Sequence, residues 1–262
     1  PNTNRYLDSL ERRLEEDGFS GNAFVMQSNG GIASMAATRR NPIAMVESGP
    51  ASGVLGAVAL GQLIDEPNII ALDIGGTTAK CSLIENAQVR LTTDYRIDWS
   101  HTKAGYPIKT PVVDIVEIGN GGGSIAWIDQ GGKLHVGPES AGAVPGPAAY
   151  GRGGTEPTTT DAHLITRRID EEYFLGGEII PDMDNVRKAF ASLSEQLNVS
   201  VDEAARGIIR IANANMVNAL KLVSVNKGYD PRDFTLVAYG GGGAMHAAAL
   251  ARDLNMTKVV IP

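Results

Sequence analysis

The stretch from Asn68 to Ile84 constrains the fold more than any other, because it holds two short apolar runs, Ile69–Ile74 and Ala79–Ile84, with only Gly75, Gly76, Thr77 and Thr78 between them. Runs of this length and β-branched content read as strands, and the four residues between them as a tight turn. The turn has the chemistry of a phosphate holder. Asp73, at the end of a buried strand, can order a hydrated cation; the glycines let backbone N–H groups approach an anion, and the threonine hydroxyls add donors without bulk. A Gly-Gly pair is equally good in an ordinary hairpin, so the turn alone is compatible with either role.

Composition narrows the setting. With 262 residues, 43% of them hydrophobic, the chain can bury one large core or two modest ones, and it carries no long charge block or low-complexity tract. A net charge of -7 without a basic run argues against nucleic acid or an anionic membrane as the main partner. The single Cys81 cannot form an internal disulfide and sits in an apolar strand, which suits a buried thiol in a reducing compartment. No run of 18 apolar residues and no signal-peptide pattern occurs, so a soluble, cytoplasmic protein is expected. The chain begins at Pro1 rather than Met and ends on the apolar run Val259–Pro262, a strand just begun, so a fragment of a longer polypeptide is expected.

Along the chain, Tyr6, Leu7, Leu10 and Leu14 repeat at helical spacing, and a short strand near Phe24–Gln27 follows. Glu47-Ser-Gly-Pro-Ala-Ser-Gly53 opens an apolar helix to about Leu63, with Ser48 or Gly49 as cap and Pro50 in the first helical position. Such an end can bind an anion, but a capped core helix is the commoner use. Residues 88–155 read as strands and loops, including strands at Ile125–Asp129 and Lys133–Val136 around a Gln130-Gly-Gly132 turn. Val112–Ile118 reads as one strand feeding a second glycine loop, Gly119–Ser124. Gly121, Gly123 and Ala126 formally match a dinucleotide fingerprint, but a hairpin follows where a helix is required, which excludes it. Asp114 and Glu117 fall on opposite faces of such a strand, and Asp114 is the better catalytic candidate.

The Gly-, Pro- and Thr-rich segment Ser140–Thr160 is long enough to be functional, and Arg152 within it suits an anionic group. Asp161 is expected to cap a helix and His163 to lie at the surface; His101, His135 and His246 have no metal-ligand spacing, so no zinc site is expected. The last third reads as a long amphipathic helix from Val201 to about Lys227 stopped by Gly228, a buried strand Phe234–Tyr239, the loop Gly240, Gly241, Gly242, Gly243, a helix Ala244–Leu254 and a strand at Val259. Met245 stands where a dinucleotide turn needs its third glycine or alanine, so that reading fails here too.

Phosphate hairpin, connecting region, amphipathic helix, then strand, glycine cluster and helix is the order of parts in the second half of the actin, hexokinase and Hsp70 type of fold. With Glu47-Ser-Gly-Pro50, Asp73–Lys80, Gly119–Ser124, Gly137–Gly142, Pro145-Gly-Pro147, Gly151–Pro157 and Tyr239–Gly243 together, the chain resembles the hydantoinase/oxoprolinase family, specifically the central hydantoinase A domain of its A-type subunit, from about residue 25 onward. The resemblance implies an α/β, actin-like (ribonuclease H-like) ATPase fold with a mixed sheet and flanking helices: residues 1–46 as an N-terminal helix and connection, and 47–262 as the ATPase-type domain with an inserted β/loop region at about 88–180.

It further implies an ATP- and magnesium-dependent hydrolase subunit that phosphorylates a cyclic amide carbonyl for ring opening together with a B-type subunit or domain. Transferred to this sequence, Asp73 and Asp114 become the catalytic candidates and Asp73 the magnesium carboxylate. Gly75, Gly76, Thr77, Thr78 and Lys80 hold phosphate, and Gly240–Gly243 lie beside the adenosine. Members often carry an aspartate in place of Lys80 and a histidine in place of Val116; an ammonium at position 80 cannot coordinate a cation. The fold also normally has a first phosphate hairpin in an N-terminal half, and no second Asp-x-Gly-Gly-Thr occurs here, so 1–262 is expected to be inactive alone. The rival readings are a non-catalytic regulatory or assembly domain, an ATP-dependent ketone carboxylase and a small-molecule kinase.

Overall fold

The structure, a computed structural model, describes residues 2–100 and 103–262; His101 lies outside them. In chain order, helix α1 (Asn2–Glu16) is followed by strands β1 (Phe24–Met26) and β2 (Ile32–Ser34) and helices α2 (Met35–Arg40) and α3 (Ser48–Leu63). The expected hairpin is β3 (Ile69–Ile74) and β4 (Ala79–Glu85). Short strands come next: β5 (Gln88–Val89), β6 (Leu91–Thr92), β7 (Tyr95–Ser100), β8 (Lys103–Ile108), β9 (Val112–Val113), β10 (Val116–Ile118), β11 (Ser124–Ile128) and β12 (Leu134–Ser140). Helices α4 (Thr159–Ile165), α5 (Met183–Leu197) and α6 (Val201–Val223), strand β13 (Thr235–Tyr239), helix α7 (Gly243–Asp253) and strand β14 (Val259–Val260) complete the chain.

Contacts divide it into two compact units, residues 1–67 with 82–115 and residues 68–81 with 116–262. Of the 88–180 region expected as an insert, residues 88–115 fall in the first unit and 116–180 in the second. In the first unit β1 pairs antiparallel with β2, β6 with β9 and β7 with β8. Arg39 of α2 binds Asp8 and Glu11 of α1, joining the two helices. Helix α3 begins differently from expectation. Its N-cap is Glu47, in the left-handed region at φ 58 and without a side-chain capping bond, which leaves Pro50 in the third helical position. The Glu47 carboxylate instead accepts the Tyr95 hydroxyl at 2.9 Å.

The second unit holds most of a mixed sheet ordered β10-β4-β3-β13-β14. β13 runs parallel to both β3 and β14, and β10 is antiparallel to β4. Ile69–Leu72 and Thr235–Ala238 are buried on both strand faces, which is why each reads as an unbroken apolar run rather than an alternation. α7 packs on β3 and β13, and α6 against α4, α5 and α7. Ile208, Met216 and Leu220 of α6 are fully buried, each worth about 1.5–3 kcal/mol over an exposed position. Ser200 and Glu203 form a reciprocal capping box at the start of α6.

Two expectations are corrected. Val112–Ile118 is two strands, because the chain leaves β9 at Asp114-Ile115 and joins β4 only from Val116; Asp114 and Glu117 therefore do not share a strand. The long helix stops at Val223, where the Ser224 hydroxyl donates to the Leu220 carbonyl at 2.6 Å; a short 3-10 turn, Val225–Lys227, then ends at Gly228 in the left-handed region.

Candidate functional site

The neighbouring parallel strands β3 and β13 end together, with Asp73 opposite Tyr239 in the register. In open α/β sheets ligands gather at the carboxyl ends of the strands, and here each end opens directly into a glycine turn. The Gly75 N–H donates to the Thr78 carbonyl at 3.0 Å and closes the first turn, leaving Gly76 and Thr77 exposed. The second turn is built onto the first: the Gly242 N–H donates to the Ile74 carbonyl at 2.9 Å. Gly240, at φ 79, has room for no side chain, since a Cβ there would meet the Asp73 carboxylate and lie 2.6 Å from the Ile74 carbonyl oxygen.

The loop at residues 119–124 supports the first turn from behind. The N–H groups of Gly122 and Gly123 donate to the carbonyls of Gly75 (2.9 Å) and Gly76 (2.6 Å). Gly122 is held in turn by Thr160, whose N–H and hydroxyl both donate to its carbonyl, at 2.7 and 2.8 Å. A Cβ on Gly121 would lie 2.6 Å from the Gly75 oxygen and 2.8 Å from the carbonyl carbons of Gly76 and Thr77, all backbone atoms. Gly121→Ala is therefore expected to cost about 1–3 kcal/mol by overpacking, read as a lowered denaturation midpoint at unchanged m-value; an unshifted midpoint would show that the turn is not clamped.

These loops border a cavity of about 370 Å³. Gly75, Gly76, Gly122, Gly241 and Gly242 line it together with Thr160, Tyr150, Ile169, Tyr173, Phe174 and Met245, and with His163 and His246. It thus combines backbone donors with aromatic and aliphatic walls. The other expected site residues of the second unit, Asp73, Thr77, Thr78, Lys80, Gly240 and Gly243, belong to the framing turns and strands. Asp73 is half-buried; burial pushes its carboxyl above the usual range, and the Lys80 ammonium pulls it back. Burial and the Asp73 charge push the Tyr239 phenol upward. Lys80 forms an ion pair with Glu117 and reaches Thr78 Oγ1 at 3.3 Å. Asp114 belongs to the first unit, where its carbonyl accepts the Ser82 hydroxyl at 2.8 Å and its N–H donates to the Arg90 carbonyl at 2.9 Å.

Several features of this region were not read from the sequence, or were misread. His163 is buried, only 2% exposed, not at the surface; its Nε2 lies 3.2 Å from Nε2 of His246, whose Nδ1 lies 2.6 Å from Asn213 Oδ1. Asp161 does cap α4, in a capping box with Thr158, but it also accepts the N–H groups of Ala148 (3.2 Å) and Ala149 (2.9 Å) and so fixes the segment that carries Tyr150 to the cavity wall. Arg152 lies outside the lining, its guanidinium 5.8 Å from the Tyr150 ring centre. Tyr150 and Thr160 carry no motif, and the only hint of them was the length of the proline- and glycine-rich loop; Phe174 lies outside that loop and had no signal.

A mixed sheet with glycine turns gathered at the ends of its parallel strands thus defines the molecule as an α/β domain with a built loop cluster. The chain belongs to the hydantoinase/oxoprolinase family, whose sequence profile matches residues 1–262. It is 37% identical to the caprolactamase alpha subunit of Pseudomonas jessenii over 263 residues, covering 100% of this chain and 37% of that one. It is 33% identical to 5-oxoprolinase 1 of Arabidopsis thaliana, covering 100% and 21%. The crystal structure of the ATP-dependent caprolactamase from Pseudomonas jessenii matches with a TM-score of 0.83 at 36% identity, over 100% of this chain and 37% of that one. A nucleotide-free structure of acetone carboxylase matches with a TM-score of 0.89 at 28% identity, over 99% and 36%. The chain spans under two fifths of the length of these relatives. The mixed α/β architecture expected from the resemblance is the one observed. No helix among the described residues is long and apolar enough to cross a membrane.

Proposed function

We propose that this chain is the part of an ATP-dependent amidohydrolase that binds ATP and directs its terminal phosphoryl group to the carbonyl oxygen of a cyclic amide. The reading rests on one observation: the turns at 75–78 and 240–243 and the loop at 121–123 meet around a single cavity at the ends of β3 and β13. Backbone N–H groups of Gly76 and Thr77 and the threonine hydroxyls would hold phosphate oxygens. The 240–243 loop, opening helix α7, would lie beside the nucleoside, with the aromatic and aliphatic wall taking its apolar surface.

The donor set fits magnesium in one form. Asp73 is a single half-buried carboxylate, and no group of three or more His, Cys, Asp or Glu side chains converges among the described residues. Such a site suits an ion held largely by the nucleotide's own phosphates and by water, with Asp73 on the protein side. Bound there, magnesium would supply neutralisation of phosphate charge during transfer.

The chemistry requires this activation because a lactam carbonyl is resonance-stabilised. Transfer breaks the bond between the terminal phosphorus and the bridging oxygen, which leaves with ADP, and forms a phosphorus bond to the carbonyl oxygen. Water then adds to the carbon, the ring C–N bond breaks with the nitrogen leaving as the amine, and a second water releases phosphate from the resulting acyl phosphate. The same first step on a ketone would serve carboxylation, a second reading supported by the likeness to acetone carboxylase. The higher identity to the caprolactamase, 36% against 28% between the two solved structures, favours the cyclic amide. A B-type subunit or domain would complete the reaction, in the cytoplasm.

The test supplies the complete protein and its partner subunit with ATP and, separately, hydantoin, 5-oxoproline, caprolactam, or acetone with bicarbonate. ADP release matched by ring-opened product is expected with a lactam. Turnover only with the ketone selects the second reading, and no ATP use with any of them defeats both. Residues 1–262 alone are expected to hydrolyse ATP at background rate, because in-line positioning from both sides of the triphosphate supplies much of the catalysis. Magnesium-dependent hydrolysis by 1–262, abolished by Asp73→Asn, would show that the active site is complete within it.

A further inference from the structure

Lys80 is engaged on two sides. Glu117, its direct cross-strand partner on β10, forms an ion pair with it; the lysine side chain is 18% exposed and the glutamate 41%, so the pair is sheltered on the lysine side and open on the other. A second ammonium N–H points to Thr78 Oγ1 at 3.3 Å; residues two apart on an extended chain share a face. A threonine hydroxyl has one proton and two lone pairs. With a lone pair taken by the ammonium, the proton is turned elsewhere, and nothing among the described residues accepts it. Thr78 thus presents an oriented donor, polarised by a cation, on the turn that closes at Gly75.

We propose that Lys80 is a positioning residue: anchored by Glu117, it aims the Thr78 hydroxyl at a phosphate oxygen of the nucleotide instead of touching the phosphate itself. The inference rests on the ATP reading above. An anionic oxygen is the acceptor such a donor suits best, and the Glu117 carboxylate offsets the lysine charge that would otherwise draw the phosphate to the ammonium.

A double-mutant cycle on magnesium-ATP hydrolysis by the complete protein with its partner subunit tests this. Lys80→Met and Thr78→Val are each expected to lower kcat/KM for ATP about ten-fold or more, the scale of a hydrogen bond to a charged group. The double variant should be no worse than Thr78→Val, because both changes remove one contact. Thr78→Ser, which keeps the hydroxyl, should retain activity within about three-fold, a rescue that a threonine acting only through the packing of its methyl group would not show. Lys80→Gln supplies an independent second cycle, and thermal melting confirms that each variant is folded. If the two losses multiply, Lys80 meets the nucleotide independently and the inference is overturned while the ATP reading stands. Unchanged kcat/KM in Lys80→Met overturns it as well. If the unmodified protein neither binds nor hydrolyses ATP, the ATP reading fails and takes this inference with it.

Discussion

Lowering the pH from 7.5 to 5 is expected to remove about 4 kcal/mol of folding stability through two buried histidines alone. Burial, the neighbouring His246 and Arg168 hold His163 down to about 3, and burial with Arg168 holds His246 down to about 4, against 6.5 for an ordinary histidine. The sign follows from which state takes the proton. In the unfolded chain both rings protonate as the pH falls through 6.5, whereas in the folded chain both stay neutral. The stability is therefore fully present above about pH 6.5 and is lost progressively below it, until the folded-state values near 4 and 3 are passed. At pH 5 each ring contributes about 2 kcal/mol of this loss. The measurement is denaturant unfolding at several pH values for the complete protein and for a His163→Leu, His246→Leu variant. The variant starts less stable, since Asn213 loses its partner, but its stability should fall less steeply with acid. Parallel pH profiles for the two proteins would show that these rings titrate normally.

Replacing Asp73 with Asn is expected to lower ATP turnover by the complete enzyme about 100-fold or more while shifting the melting temperature by only a few degrees. The amide preserves the shape that packs beside Gly240 at the end of β3, so the strand and both turns should survive. What is lost is the negative charge that would face the cation and the transferring phosphoryl group. Steady-state ADP release and thermal melting on the same preparations separate the effects. If activity and melting temperature fall in proportion, Asp73 is a structural residue and the phosphate role of the turn loses its carboxylate.

The parts legible in the sequence are those governed by local rules. The doubly buried strands β3 and β13 show as continuous apolar runs because helices and loops cover both faces, and Asp161 shows as a helix cap; the boxes it forms with Thr158, and Ser200 with Glu203, were not read although their spacing is local. The turns at 75–78 and 240–243 were evident from their glycines. What escaped depends on tertiary packing. The break at Asp114-Ile115 leaves no breaker residue; it is made by two different pairing partners, β6 and β4. Glu47 enters a left-handed cap although Ser48 and Gly49 are intrinsically better there, with its carboxylate bound to a tyrosine 48 residues away. His163 looked like a surface residue because its partner, His246, and Asn213, which holds His246 in turn, arrive from separate helices. The cavity wall shares this cause: Thr160 is recognisable only once its hydrogen bonds to Gly122 are known.

The register pairing of Cys81 with Val116 has a consequence for how this chain can change over generations. Residues 82–115 leave the second unit from one member of a paired couple and return at the other, so the excursion begins and ends at a fixed, closed gate. A stretch bounded in this way can lengthen at little thermodynamic penalty, since each doubling of a closed loop adds only about 0.6 kcal/mol of closure entropy. The glycine turns lie outside the excursion, in 68–81 and 116–262, and keep their hydrogen bonds whatever its length. The turns between the short strands of segment 82–115 are therefore where descendants of this sequence can accept insertions and deletions, leaving the glycine turns to drift only residue by residue.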